Sequence, residues 1–354
     1  MTDAKRPHST KPPAGRNSVS QYTVSEGTME DIEIGLKEAK TSEDFDKVQK
    51  TLEMYLPESF MIYGYLLARK AYYKVKGKGA EKEIFFSPQS TLVVATPGFS
   101  EDVQSLSVFW DVSQDDEHLI ANQLKSISAI DWKQPVFFYA IPVVLLEKLR
   151  TLVLKGILGD GYLTPHRSFP CHLYSLTSQP ELEPRLPEGF ELGGLREEHG
   201  GIMYDHWEYN FSETTDAYRG FLRTFPGVGV FKTRDRCNEH QRIQEGEHSS
   251  QGGNLSDPPV AWSHISPFNV LTNTYTLPEY RGQKLALAVT VALAKASIQE
   301  TGFAAAVISD DNYASIKLHE SAGFTRRHPL GYQYFKSSLG TCFFDGIEPF
   351  AVDT

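Results

Sequence analysis

Cysteine is scarce in this 354-residue chain, which has three, Cys171, Cys237 and Cys342. An odd number of widely separated cysteines cannot form the disulfide framework of a small secreted protein, so we expect an intracellular, reducing environment. Long apolar runs are lacking as well. The longest, residues 136–146, is interrupted by Pro142 and falls short of the roughly 20 residues that span a bilayer. The sequence therefore predicts no membrane partner.

Positive charge is in deficit, with 35 Lys and Arg against 45 Asp and Glu and a formal net charge of -10. Such a balance gives no broad attraction to phosphate backbones, so no nucleic-acid partner is expected. The first 29 residues are basic but have no apolar central region, which argues against a secretory signal. Mitochondrial and cytoplasmic locations both remain open, while the proline pair at positions 12 and 13 favours a disordered tail over an amphipathic presequence.

Several chemical signatures are missing. The chain has neither a GxxxxGK[ST] phosphate loop nor a GxSxG nucleophile elbow. Cys237, His240 and His248 are irregularly spaced and have no fourth soft ligand nearby, so no metal site is predicted.

The length indicates two domains, because each would be large enough to bury its own core. We place the first at residues 30–176 and the second at 189–338, with a proline-rich linker at 177–188 and tails at 1–29 and 339–354. Residues 234–257 are polar and almost free of apolar side chains, which is typical of a disordered insertion. The pattern of elements predicts an α/β (mixed α+β) fold in which each domain is a twisted mixed sheet flanked by helices.

In the first domain, Thr41 and the apolar spacing after it predict a helix that Pro57 ends. The other predicted elements are strands at 61–67, 92–96, 106–112 and 136–140, a turn at 74–82, and helices near 119–127 and 144–152. In the second domain, strands are predicted at 190–195, 227–232, 260–265, 270–277, 304–309 and 331–336, and helices at 202–209, 215–224, 285–300 and 314–322.

The most specific fragment is residues 274–286, TYTLPEYRGQKLA, which predicts a strand that passes through a short turn into a helix. Backbone N–H groups at such a helix start, together with the helix dipole, can hold a pyrophosphate. A polar turn that merely caps a core helix is the alternative interpretation.

A second fragment, residues 311–324, lies about 30 residues further on. Asn312 is placed to cap a helix that carries Ser315 and His319 on one face, and Gly323 occupies the position after its end. Two such fragments in this order are less expected by chance than either alone.

With both fragments, the chain resembles the GNAT acyltransferases. Residues 281–286 are similar to motif A, [QR]-x-x-G-x-[GA], and residues 312–324 resemble motif B. The chain more closely resembles the glycine N-acyltransferases, at 260–262 (VAW), 276–281 (TLPEYR), 56–59 (LPES) with Tyr63-Gly64, and 130–134 (IDWKQ). The resemblance spans roughly residues 30–336 and implies two GNAT-like halves.

The resemblance implies transfer of an acyl group from acyl-CoA or acetyl-CoA to the amine of glycine or another small molecule. The residues it places at the cofactor are Thr276, Leu277, Arg281, Gly282, Gln283, Lys284, Leu285, Ala286, Asn312 and Ser315. It implies nothing about oligomeric state.

Two positions depart from the family pattern. Lys284 stands where motif A usually has glycine, and Val270 stands where the glycine N-acyltransferases have a glutamate that acts as general base. Because valine cannot accept a proton, another base is needed. His264 and Thr272 are candidates on neighbouring strand positions, although a lone strand histidine is more often structural.

Further candidates for the base are two acidic residues on the helix that carries Trp207, namely Asp205 and Glu208. The simpler interpretation is that these two residues lie on a solvated helix face. His319 takes the place of a motif B tyrosine that protonates the leaving CoA thiolate in many GNAT enzymes, and we predict a catalytic role for it; a surface histidine is the alternative.

Two rival functions remain open. The loss of the glutamate at Val270 would suit a catalytically silent protein that binds acyl-CoA or has a regulatory role. A GNAT enzyme that acylates a protein N-terminus or lysine is the other rival, although the glycine N-acyltransferase-like first half argues against it.

Overall fold

A computed structural model describes residues 35–72, 83–97, 103–207, 214–233 and 258–339. Its α-helices are α1 (Ser42–Glu53), α2 (Phe60–Tyr72), α3 (Glu117–Lys125), α4 (Val143–Leu154), α5 (Gly200–Asp205), α6 (Thr215–Thr224), α7 (Leu285–Thr301) and α8 (Tyr313–Ser321). Its strands are β1 (Lys37–Glu38), β2 (Glu83–Phe86), β3 (Val93–Thr96), β4 (Gln104–Phe109), β5 (Val136–Pro142), β6 (Leu163–Leu176), β7 (Phe190–Gly194), β8 (Gly227–Lys232), β9 (Ala261–Ile265), β10 (Leu271–Thr276), β11 (Ala304–Ser309) and β12 (Thr325–Ser337). The predicted mixed α/β fold class is thus confirmed.

All twelve strands join in one sheet, in the order β1-β2-β3-β4-β5-β12-β6-β11-β10-β9-β8-β7. The β4–β5 and β10–β11 pairs are parallel, and every other neighbouring pair is antiparallel. Each half of the chain contributes the same series, namely β4-α3-β5-α4-β6 and β10-α7-β11-α8-β12. This strand–helix series is repeated in the structure without a recognisable repeat in the sequence.

The last strand of each series pairs with the other series. β12 pairs with β5, and β6 lies between β12 and β11. A boundary at residue 176 therefore separates two lengths of sequence without separating two sheets, and the described residues belong to one compact unit.

Local hydrogen bonds explain where several helices begin. The Thr41 side chain accepts from the Asp44 N–H while Asp44 accepts from the Thr41 N–H, so α1 starts with a capping box. Asn312 caps α8 by accepting from the Ser315 N–H at 3.0 Å. Both starts agree with the sequence predictions.

Two sequence predictions about elements were wrong. Residues 61–67 belong to helix α2, which is buried on most of its surface and so lacks the polar face that distinguishes an amphipathic helix from a short buried strand. Strand β6 was missed because Pro165 and Pro170 interrupt it. Both prolines lie in the part of β6 that pairs with β12 on one edge and has no β11 partner on the other. The N–H groups that proline lacks therefore cost the sheet few hydrogen bonds.

The turn predicted at 74–82, the insertion at 234–257 and the tail at 1–29 lie outside the described residues. No helix in the described part of the chain is long and apolar enough to cross a bilayer.

Helix α2 connects the two halves by packing on the loop 266–269, which leads into β10. A Cβ atom added to Gly64 would lie 2.3 Å from the Phe268 carbonyl oxygen, so this helix approaches the loop backbone as closely as glycine permits. The Tyr65 ring lies 5.4 Å from that of Phe268, and the Phe60 ring lies 4.9 Å from that of Phe303. The entry to β10 is therefore held by the first half of the chain.

Replacement of Gly64 with Ala is expected to lower the free energy of unfolding by about 1–3 kcal/mol, because the added methyl group has no room against the loop. Gly220, within α6, is the matched control, since an added Cβ there meets no atom within 4 Å. Gly220→Ala should raise stability by about 0.5–1 kcal/mol, the usual gain inside a helix. Denaturant unfolding of both variants tests this; equal effects at the two sites would contradict it.

Candidate functional site

A groove of about 580 Å³ lies between the end of β10, the start of α7 and helix α8. Among its lining residues, three are cationic, Arg281, Lys284 and Lys317, and none of the described ones is acidic. The groove therefore has a local positive charge that opposes the net charge of -10.

The turn before α7 presents backbone donors to this groove. Gly282 and Lys284 both adopt positive φ, 79° and 60°, and α7 begins directly after Lys284 without a side-chain cap. The first N–H groups of an uncapped helix have no partner within the helix and carry the positive end of its dipole. Lys284 has the left-handed backbone conformation that glycine favours, at a position where the sequence resemblance predicts glycine.

Most of the predicted cofactor residues meet at the groove. Those that line it are Thr276, Arg281, Gly282, Lys284, Leu285, Ala286 and Ser315. Arg281 is positioned by a hydrogen bond from its Nε to the Thr276 carbonyl oxygen, at 3.3 Å, and by the Tyr275 ring, 5.5 Å from its guanidinium carbon.

Three predicted cofactor residues lie elsewhere. Gln283 is exposed and does not line the groove. Leu277 donates its N–H to the Val260 carbonyl oxygen at 2.9 Å, so that donor already serves the sheet. Asn312 lines the neighbouring cavity instead.

That cavity, of about 140 Å³, adjoins the groove and shares Thr274 and Ser315 with it. Its walls come from both halves of the chain. The lining residues are Tyr139, Phe169, Pro170, Cys171, Trp207, Leu271, Thr272, Asn273, Thr274, Ala306, Val307, Ile308, Ser309, Asn312, Ser315, His319 and Tyr332. We call this space the aromatic cavity.

Divergence of two parallel strands makes room for the cavity. β10 and β11 pair at Leu271 and Ala306, the only position in register between them, and then separate. On its other edge β10 has a bulge, where two residues, Asn273 and Thr274, lie opposite one residue of β9. Such a bulge removes backbone groups from the ladder and redirects the side chains that follow.

Asn273 fixes this bulge from within. It is fully buried with φ of 48°, its Oδ1 accepts from Trp262 Nε1 at 3.1 Å, and its Nδ2 donates to the Met203 carbonyl oxygen at 3.1 Å. Asparagine tolerates positive φ better than most residues. The bulge is thus built from one residue that suits both the backbone and the buried hydrogen bonds.

His319 lines the aromatic cavity and is 2% exposed. Its Nδ1 lies 2.8 Å from the Ser315 carbonyl oxygen, which can only accept, so this nitrogen carries the proton of the neutral ring. Nε2 is buried and has no hydrogen-bond partner among the described residues. Burial lowers the pKa of His319, partly offset by the bond to Ser315, so the neutral ring with a free Nε2 lone pair is favoured.

The predicted bases on β9 and α5 do not reach the cavity. His264 is 1% exposed, lies between Tyr218 and Phe221 rings, and lines neither the groove nor the cavity. Burial lowers its pKa to about 4, and its Nδ1 bonds the Ile265 carbonyl oxygen. These contacts match the structural alternative for this histidine.

Val270, which stands where the resemblance expects the glutamate, lies just before β10 and is 4% exposed in the apolar core. The remaining candidates for the base differ in position. Asp205 is exposed at the end of α5. Thr272 does line the aromatic cavity. Glu208 lies outside the described residues.

Four aromatic residues, Tyr139, Phe169, Trp207 and Tyr332, form a wall of the cavity. The sequence predicted Trp207 as a core or pocket-wall residue but did not indicate the other three. Tyr139 stacks on Phe268 at 4.8 Å and meets Tyr332 edge-on at 4.9 Å, so the wall is held in place by neighbouring rings. Alternate aromatic residues in β5 and β12 were a signal that one face of these strands is apolar. That signal does not reveal a cavity, because the two strands come together only in the folded sheet.

The corresponding position in the first half offers no anion site. There Asp116 caps α3 by accepting from the N–H groups of His118 and Leu119, so a carboxylate already occupies the helix start. Asp111 and Asp115 lie in the same turn. At this position of the duplicated series, the start of α7 has no side-chain cap, whereas the start of α3 is capped by a carboxylate.

No known protein family and no curated protein sequence matches the chain. A Drosophila protein of known structure matches with a TM-score of 0.67 at 16% identity, over 84% of this chain and 97% of its own. A tandem GNAT protein from the clavulanic acid biosynthesis pathway matches with a TM-score of 0.47 at 10% identity, over 84% and 98%. A GCN5-related N-acetyltransferase-like protein from Streptococcus suis has a TM-score of 0.45 at 15% identity, over 84% and 100%. The Drosophila structure establishes a shared fold; the other two scores are too low to carry an argument.

Replacement of Asn273 tests the construction of the bulge. Asn273→Ala should lower the free energy of unfolding by about 2–4 kcal/mol, because Trp262 Nε1 and the Met203 carbonyl oxygen lose their buried partner and alanine disfavours positive φ. Asn273→Gly loses the same hydrogen bonds without the backbone strain, so it should be less destabilised by about 1 kcal/mol. Denaturant titration followed by tryptophan fluorescence measures both. An alanine variant as stable as the glycine variant would show that φ at this position carries no strain.

Proposed function

We propose that the protein is an acyl-CoA-dependent N-acyltransferase of the GNAT type. The observation that carries this proposal is the junction of the cationic groove with the aromatic cavity where β10 and β11 diverge. A long anionic cofactor would lie in the groove, and its reactive end would reach the cavity lined by His319, whose Nε2 has no hydrogen-bond partner among the described residues. The resemblance of residues 281–286 and 312–324 to GNAT motifs supports the same function.

The groove residues suit acyl-CoA or acetyl-CoA. The uncapped start of α7 would receive the pyrophosphate on its N–H groups, with Lys284, Arg281 and Lys317 adding positive charge. Thr274 and Ser315, which border both spaces, would flank the thioester end. The thioester supplies an activated carbonyl carbon and a thiolate leaving group.

Acyl transfer to an amine requires a neutral nitrogen and a proton acceptor. In the proposed reaction the amine nitrogen attacks the thioester carbon, the C–N bond forms and the C–S bond breaks. The proton released by nitrogen passes to His319 Nε2 and then to the departing thiolate, which leaves as the free thiol. Backbone N–H groups at the Asn273 bulge would donate to the carbonyl oxygen.

His319 has two roles in this reaction, one more than the sequence resemblance implied. As a buried neutral ring it accepts the proton first and donates it second, whereas the sequence resemblance implied a donor only. It also takes over from the absent glutamate, since Val270 is in the apolar core and His264 lines neither space.

The acceptor is the least constrained part of the proposal. The sequence resemblance predicts glycine or another small amino acid, whose carboxylate would need a cationic or strongly donating partner. None of the described residues that line the aromatic cavity is cationic. Glycine therefore remains a prediction that an acceptor panel must test.

Charge reversal at Lys284 tests the cofactor groove. Lys284→Glu should weaken acetyl-CoA binding about tenfold, or about 1.4 kcal/mol, because a carboxylate then faces the phosphates. Lys155→Glu makes the same change of net charge at an exposed position after α4 and should bind normally. Isothermal titration measures both. Equal affinities for the two variants would remove Lys284 from the groove's function.

Replacement of His319 tests the proton transfer. His319→Ala should lower kcat about 10²- to 10⁴-fold with little change in acetyl-CoA affinity, as measured by thiol release and titration. In the parent protein kcat/KM should fall as pH drops through the lowered pKa of His319, because protonation removes the base. The acid limb should vanish in the variant. A variant that keeps both the rate and the acid limb would exclude His319 as the base.

The same assays separate the rival functions. A protein that binds acetyl-CoA but releases no thiol with any amine would be a silent acyl-CoA-binding or regulatory protein. Turnover with peptides but not with small amines would indicate an enzyme for protein N-termini or lysines.

A further inference from the structure

The aromatic cavity differs from the groove in charge. The groove has three cationic residues, whereas the described residues that line the cavity include no Asp, Glu, Lys or Arg. Its titratable members are His319, Cys171, Tyr139 and Tyr332. Burial keeps the first two neutral, since it lowers the pKa of His319 and raises the pKa of the Cys171 thiol. A molecule in this cavity therefore meets no opposite charge from the described walls.

The absence of a carboxylate among the described lining residues matters for an amine substrate. An alkylamine is an ammonium ion at neutral pH. Burial of this ion without a neighbouring anion costs more free energy than burial of a neutral amine of the same size. The aromatic rings could return part of that cost through cation–π contact, but less than the desolvation removes. An arylamine arrives neutral, with its lone pair already available to attack a carbonyl carbon.

Size and shape agree with one aromatic ring. The volume of about 140 Å³ is close to the roughly 150 Å³ of an engineered protein cavity that binds benzene. Tyr139 and Tyr332 meet at 87°, which gives the wall two perpendicular ring surfaces. His319 lines the cavity, and its Nε2, which has no hydrogen-bond partner among the described residues, would accept one amine N–H.

We infer that the acceptor of the proposed acyltransferase is a weakly basic, uncharged arylamine that places its ring against Tyr139, Trp207 and Tyr332 and its nitrogen toward His319. This inference rests on the proposed function and names the substrate class for the same site. The reaction balances as before: the aryl nitrogen forms the amide bond, and its proton leaves with the thiol.

The decisive comparison uses aniline and cyclohexylamine, which match in ring size but differ in basicity, with acetyl-CoA at pH 7. We expect kcat/KM for aniline to exceed that for cyclohexylamine and for glycine by at least about tenfold, since the charged amines must lose a proton or bury an ion. A preference for cyclohexylamine or glycine, or no preference, would overturn the inference. So would efficient transfer of a benzoyl group to small amines with poor use of aniline, because the ring would then belong to the donor.

A matched pair of variants tests the physical reason. Thr272 lines the cavity on β10, and aspartate and asparagine are similar to threonine in size. Thr272→Asp should shift the preference toward cyclohexylamine by about tenfold, because it supplies the missing anion. Thr272→Asn should leave the ratio unchanged. Equal ratios in the two variants would show that charge does not select the amine.

A binding measurement separates failure of this inference from failure of the proposed function. Thermal unfolding is followed with free CoA and either aniline or cyclohexylamine. Stabilisation by aniline alone, without acetylation of any amine, would reject the enzyme but support the selectivity of the cavity. Stabilisation by cyclohexylamine equal to or above that by aniline would reject the selectivity, whatever the activity.

Discussion

The position of β6 is the constraint on which the rest of the structure depends. This strand belongs to the first half of the chain, yet it pairs along one edge with β12 and along the other with β11. Because its backbone hydrogen bonds are made to the second half, the two series share one sheet. Phe169 and Cys171 of β6, with Tyr139 of β5 and Tyr332 of β12, then close the far side of the space that opens between β10 and β11. β6 itself contributes Phe169, Pro170 and Cys171 to the lining of that space.

The two halves repeat a framework but not a binding site. In the first half Asp116 caps α3 and supplies the negative charge that a helix start favours, which leaves no place for an external anion. In the second half α7 begins after Lys284 without a side-chain cap. The side-chain cap on α3, which α7 lacks, thus distinguishes the first half from the half proposed to bind acyl-CoA. The first half still contributes to the site through the cavity wall and through α2, whose Gly64 packs on the loop before β10.

Proton chemistry at the site follows from burial. His264 and His319 are both almost completely buried with an unpartnered Nε2, and burial lowers the pKa of each. They differ in position. His264 lies among the aromatic rings of α6, whereas His319 lines the cavity beside the groove. This position is the reason for proposing His319 rather than His264 as the base.

Sequence alone determined the features that depend on near neighbours: the cap at Thr41, helix α6, the turn and helix at residues 278–301, and the cap at Asn312. These depend on hydrogen bonds and periodicities that extend over a few residues. The tertiary structure decided three other features: the helical state of residues 61–67, the partners of β6, and the side chains that line the cavity. Apolar periodicity is ambiguous when an element is buried on most sides, and strand pairing joins residues more than a hundred positions apart, as between Tyr139 and Tyr332. The protonation of His319 was decided in the same way, because desolvation depends on every chain segment packed around the ring.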